Sequence, residues 1–358
     1  MNARIALTLI ATIALLSTAA AELTTATDFG PATVRLEPAE PLYVTREATL
    51  ALPAGETTVS LPLSELGATA GETLVEVAPA DCVSIVSSES HSDTAQWRLA
   101  SLRDTEATLS VTYPVSGLTW SIAYDVTVLD DGSASMQALL RLSNGLGRDL
   151  NETRFVGDRI DATLTLPSGE AITVAQPALS ATLPAGSVEQ MFVYDHALYG
   201  DTAVRLLRLT PQAGGIGALP AGRARIYHSA QTGRELVAEA DLPATPPGAP
   251  VELSLGPASG LVVTRSLEES KEVDKRLDAR NRVVLYDLLE RWALEVRNLR
   301  AEPVTLFVRQ RHEGSWSLEE SNIEMERTGA ERLEWQLNAD PDKLYDMSWQ
   351  IRHHNRQP

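Results

Sequence analysis

YPVSGLTWSIAYDVTV, residues 113–128, is the stretch on which the fold turns. From Leu118 onward, Trp120, Ile122, Tyr124, Val126 and Val128 alternate with Thr119, Ser121, Ala123, Asp125 and Thr127. A period of two puts one set on each face of a pleated strand, and no coherent helical stripe runs through the same residues. Asp131-Gly132 follows as a hairpin signal, because Asp-Gly accepts the turn geometry that two twisted strands need. Beyond it Ala134, Met136, Ala138, Leu140 and Leu142 again share a face. The unit predicts strand, tight turn, strand.

The same alternation extends in both directions. Upstream, ATVRL (32–36), LYVTREATLAL (42–52), TTVSLPL (57–63), TLVEV (73–77) and CVSIV (82–86) are short strand runs separated by turn residues. They predict a small sandwich over 31–94, with the polar run from Ser87 as a boundary or hairpin loop. A central β domain over 95–263 adds DATLTLP (161–167), MFVYD (191–195), AVRLLRL (203–209), RARIYH (223–228) and ELVAEADL (235–242). The last domain, 264–358, opens on the charged segment Glu268–Arg282, which reads as a loop or an exposed helical turn.

Within Val283–Val296, Leu285, Leu289, Trp292 and Val296 suit a helix, whereas Trp292, Leu294 and Val296 alternate with polar or small residues as a strand would. With Val304, Leu306 and Val308 after Pro303, the extended reading gives a hairpin. Tyr345, Met347, Trp349 and Ile351 alternate in a final strand. The expectation is an all-β chain of successive antiparallel β-sandwich domains, the last immunoglobulin-like. No repeat period is legible.

The N-terminus reads as a signal peptide over 1–21: Arg4, the apolar stretch Ile5–Leu16, then Ala19-Ala20-Ala21 before the cut. The apolar run falls short of the roughly 20 residues that span a bilayer. A periplasmic or secreted protein is therefore expected. Loss of Arg4 leaves 29 Lys and Arg against 48 Asp and Glu, a formal charge of −19, which repels nucleic acid and anionic lipid. The single cysteine, Cys82, forms no internal disulfide and lacks a basic neighbour in sequence, so it reads as a small buried apolar residue.

Motifs for chemistry are sparse. His91, His196, His228 and His312 stand alone, and His353-His354 fall in a polar tail expected to fray. Asp130-Asp131-Gly132 and residues 338–342 lack the oxygen ladder of a calcium loop and read as turns. Gly214-Gly215-Ile216-Gly217 leads into no helix that could cradle phosphate. With 48 acidic residues, a carboxylate pair for glycoside cleavage stays open but none stands out. Of the six tryptophans, Trp120, Trp292 and Trp349 sit on apolar faces, while Trp316, in HEGSWSLEE, has polar neighbours on both sides. Trp316 is the one candidate ligand contact, an exposed ring for stacking on a sugar. No catalytic residue, metal ligand or cofactor is assigned.

Tyr113-Pro114-Val115, Gly117, Trp120, Tyr124 and the strand ending at Asn144-Gly145 resemble the mucoidy-inhibitor-like family of uncharacterised bacterial exported proteins. LPAGRARIYH (219–228), PPGAPVELSLG (246–256), RWALEVRN (291–298), Trp335 and the Tyr345 strand fit the same resemblance. REATLALPAGETTVSLPLSEL (46–66) is similar to the family's short N-terminal domain. The coiled coil of many relatives has no room between Val86 and Tyr113, so the resemblance implies a compact variant. It implies a link to exopolysaccharide or envelope phenotype. The expected function is a non-catalytic envelope protein that contacts another envelope protein or a surface polysaccharide through strand edges, with no nucleic acid and no membrane span. The alternatives are a carbohydrate-active hydrolase with unassigned carboxylates and a glycan-binding module.

Overall fold

A computed structural model describes residues 22–25, 29–37, 41–63, 68, 72–90, 94–211, 217–230 and 233–358. The expected signal peptide, His91 and Gly214-Gly215-Ile216 lie outside the described residues. The chain is mostly β, and α1 (His196–Tyr199) is a four-residue α-helix. The described residues form two compact units, one within 1–119, 143–157 and 161–171, the other within 120–142, 158–160 and 172–358.

In spatial order, sheet A is β1 (Glu22–Thr25), β4 (Gly55–Pro62), β7 (Thr94–Ser101) and β6 (Val83–Ser90). Sheet B is β12 (Ile160–Leu166), β11 (Leu150–Gly157), β2 (Thr33–Arg35), β3 (Leu42–Leu52), β8 (Thr105–Val115) and β5 (Leu74–Ala78). Sheet C is β13 (Ala171–Ala175), β10 (Ala134–Asn144), β9 (Leu118–Val128), β17 (Gly222–Ala230) and β18 (Gly233–Leu242), with β14 (Ala181–Leu183) against β10. Sheet D is β19 (Val251–Pro257), β16 (Val204–Leu209), β15 (Val188–Asp195), β22 (Val304–Arg311), β25 (Arg332–Ala339) and β24 (Glu326–Arg327). Sheet E is β20 (Leu261–Leu277), β21 (Val283–Asn298), β26 (Leu344–Arg356) and β23 (Trp316–Ser321).

Pairing crosses the expected domain boundaries. β3 pairs with β8 across 94/95, and β20 runs unbroken through 263/264. Alternation identifies a strand, but only packing selects its partner. Most of the charged segment Glu268–Arg282 is strand rather than loop or helical turn, since β20 continues to Leu277, and only 278–282 form a turn. Its side chains are tolerated because β20 is an edge strand, where charges stay solvated. Val283–Asn298 is extended, as its alternation requires, yet it makes no hairpin with β22. β21 sits between β20 and β26, so the turn at Pro303 crosses from sheet E to sheet D.

Sheets D and E share one core. Leu294 and Val296 of β21, Trp349 and Ile351 of β26, and Leu306 and Trp335 of sheet D meet there, with the two indoles edge-on at 5.3 Å. Each such ring removes about 150–250 Å² from water, at roughly 25 cal/mol per Å². These burials, not any cross-link, hold the sandwich.

One strand plan occurs twice. Sheet B reads β12-β11-β2-β3-β8 and sheet D reads β25-β22-β15-β16-β19, while sheet C contains β13-β10-β9 and sheet E contains β26-β21-β20. In both copies the β11–β2 and β22–β15 pairings are parallel, and the pairings that follow are antiparallel. Pro114-Val-Ser-Gly117-Leu118 opens β9, and Pro257-Ala-Ser-Gly260-Leu261 opens β20. The Gly145 N–H donates to Gly117 O and the Leu299 N–H to Gly260 O, both at 2.7 Å. Gly145 must lack a side chain, since a Cβ there would lie 2.9 Å from Gly117 O.

The closest match is an asparagine pin. Asn144 ends β10 and Asn298 ends β21, exposed by 1% and 0%. Each donates Nδ2 to the carbonyl four residues on (Arg148, Glu302) and to a strand-end carbonyl (Leu166, Ala339), all at 2.9 Å. Each Oδ1 accepts the N–H two residues on, from Leu146 or Arg300, at 3.0 Å. The repeat is hidden in the sequence by unequal insertions: β4–β7 in one copy against β17–β18 in the other, with β23 and β24 added between β22 and β25.

Candidate functional site

Trp316 is 4% exposed, which corrects its reading as a surface platform. The ring heads the inner face of β23, its Nε1 donates to Ala330 O at 2.9 Å, and Arg327 lies 4.1 Å from its centroid. The polar residues beside it in sequence do not share its face, because adjacent strand residues point oppositely. Trp97, Trp335 and Trp349 are also buried, and Trp120 and Trp292 are half-buried.

The histidine tail does not fray. β26 carries both residues, His353 inward and His354 on the other face, where its Nδ1 lies 3.1 Å from Asp287 and its Nε2 3.0 Å from Ser317 Oγ. A line of polar and aromatic groups runs through the end of the D/E core. Arg265 stacks 3.5 Å over Trp292, whose Nε1 donates to Glu290 at 3.2 Å. Glu290 lies 3.5 Å from His353 Nε2. His353 stands 5.6 Å from His312, which is 5.1 Å from Trp316. Burial pushes the His312 imidazole down to about 4, with the charges of His353 and Arg265 adding to it. The first copy supplies a control: following the strand correspondence, Ile122, Met136 and Ala138, all buried and apolar, occupy the positions of Arg265, Glu290 and Trp292. The polar line belongs to the second copy alone. Its signal was legible, because Arg265 is in phase with Leu261 and Val263, and Glu290 with Trp292 and Leu294.

The shifted carboxylates all move one way. Burial raises Glu252, but hydrogen bonds and charge from Arg309 and Arg208 outweigh it and hold the group below its ordinary value. The Asn355 N–H and His354 hold Asp287 down as well, and Asp131, Asp161, Asp278 and Asp340 are lowered by their own hydrogen bonds. An acid catalyst for glycoside cleavage needs the opposite shift. Among the described residues no three His, Cys, Asp or Glu side chains converge on a metal position, and no helix is long and apolar enough to cross a membrane.

Two surface features remain. On the outer face of sheet E a groove of about 500 Å³ is lined by Arg291, Glu319, Glu320, Ser321, Asn322 and Gln350, among others. The second feature is the edge of β20. In sheet C the matching strand, β9, is extended by β17, which pairs parallel to it from Gly222↔Ile122 to His228↔Val128. Arg225 of β17 holds Asp125 of β9 at 2.7 Å. Gly222 lets the strands close, since a Cβ there would run into the Ile122 carbonyl. β20 is paired with β21 alone among the described strands. Because the Leu299 N–H bonds to Gly260 O, Leu261↔Asn298 is a non-hydrogen-bonded pair. The N–H groups of Val263, Arg265 and Leu267 then point off the edge. Val262 and Leu267 beside them are 49% and 45% exposed.

No known protein family matches the chain, and no curated protein matches its sequence.

Proposed function

We propose that this chain is a non-catalytic exported envelope protein that works by contact, taking a strand from a partner protein along the β20 edge. The carrying observation is that the molecule already performs this act on itself: the β17–β18 hairpin extends β9, while the equivalent strand of the second copy stands open. Main-chain hydrogen bonds would supply affinity, and side chains flanking the edge would supply selection. The bulge at Leu267/Glu269 and the charges beyond it restrict pairing to the first turns of β20 and guard the rest. Export rests on the signal-peptide pattern of residues 1–21, and the envelope setting on the resemblance to the mucoidy-inhibitor-like family, which no family match supports. A photo-crosslinker placed at Val262 in the native cell should give one discrete envelope product, while the same probe at Arg297, on β21, should not. Equal labelling from both positions would remove the reading.

The groove beside Glu319 and Asn322 supports a second reading, a glycan-binding surface, since its lining is mostly hydrogen-bonding side chains. A glycan panel titrated against the chain and its Asn322→Ala variant decides it, and binding unaffected by the substitution would exclude this groove.

A further inference from the structure

We propose that the tip of the β20–β21 ribbon docks on an anionic lipid bilayer. The last partner of β26 on this ribbon is Tyr286, so beyond it only the two strands and their turn continue. Three residues per strand at about 3.3 Å each carry the tip roughly 10 Å past β26, more than the Debye length of about 8 Å at physiological salt. Here the charge of an otherwise acidic chain reverses. Residues 275–286 hold Lys275, Arg276, Arg280 and Arg282 against one carboxylate, Asp278, in a chain of net charge −18. Lys275 pairs with Glu272 at 2.8 Å, an exposed pair easily exchanged for phosphate, whereas Arg282 is held at 2.7 Å by Asp278, whose side chain is 22% exposed.

Apolar groups share the tip. Leu277 and Val284 are 53% and 41% exposed, on a segment where no further strand covers them. The turn that carries them is fixed from within: the Arg280 and Arg282 N–H groups bond to Asp278 at 2.8 and 2.9 Å, and Asn281 takes the left-handed conformation at φ 59°. Cations around an exposed Leu and Val fit a headgroup layer, where phosphates meet the guanidinium groups and the aliphatic groups reach the acyl boundary. A second copy of this chain offers acidic charge but explains the exposed aliphatic groups less directly. The tip is separate from the β20 edge, so the two readings fail independently.

The test is flotation of the full chain, without its signal peptide, on phosphatidylcholine vesicles with and without phosphatidylglycerol, at low and high salt. Binding is expected only with phosphatidylglycerol, falling with salt, and dropping at least tenfold in the Arg276→Glu/Arg280→Glu variant. Leu277→Asp, which leaves every cation in place, should also weaken binding about tenfold with an unchanged melting temperature. Equal recovery on both vesicle types, or binding indifferent to these variants, would overturn the proposal. So would a tip-dependent dimer by sedimentation without vesicles, or tip-dependent capture by an acidic polysaccharide in place of the vesicles.

Discussion

Asn144 and Asn298 each close three hydrogen bonds inside a strand-end loop, and removing either leaves buried carbonyls without donors. Replacement by Ala should cost roughly 2–4 kcal/mol at each position, seen as matching falls in the urea midpoint. Unequal losses would argue against a shared pin. His312 carries a pH prediction. Its folded value is about 4 against an ordinary 6.5, so the folded state prefers the neutral ring. Stability is full above 6.5 and is lost as pH falls toward 4, by up to roughly 3 kcal/mol. His312→Asn should flatten the urea-midpoint profile across that window. At this scale the sequence misled at Trp316: polar neighbours mark exposure in a loop, but on a strand they describe the opposite face. Trp316→Ala should cost about 3–5 kcal/mol by leaving a cavity, read as a fall in the urea midpoint.

Elements were more legible than their partners. The Trp120 strand, the Asp131-Gly132 turn and the strand after it stand as the alternation requires, with Leu129 and Ser133 closing the turn. Periodicity could not say that β17 would lie beside β9, because β17 arrives from a distant insertion and pairs in parallel. Gly222 is the only residue in it whose identity the pairing dictates. Gly222→Val should displace the β17–β18 hairpin, cost about 1–3 kcal/mol, and speed proteolysis between Ser229 and Glu235. A protease map unchanged from the parent would mean that the hairpin does not depend on this close approach. The charged half of β20 misled for a different reason: too few apolar residues rules out deep packing, yet an edge strand needs none.

Across the whole chain, all-β class and strand-rich sheets follow from a period of two repeated along the sequence. The duplication does not, since the matched residues are a few turn and pin positions separated by insertions of different length. What the two copies share is scaffold: the asparagine pins, the glycine approaches and the order of strands. What differs is where function is sought, namely Arg265, Glu290 and Trp292 in place of an apolar core end, and an open β20 in place of a covered β9. Amide hydrogen exchange, resolved residue by residue on the isolated chain, tests that contrast. Val263, Arg265 and Leu267 should exchange fast between slow neighbours Val262, Thr264 and Ser266, while Ile122, Tyr124 and Val126 are slow together with the residues between them. Uniform protection along β20, or the same fast–slow alternation in β9, would contradict the account.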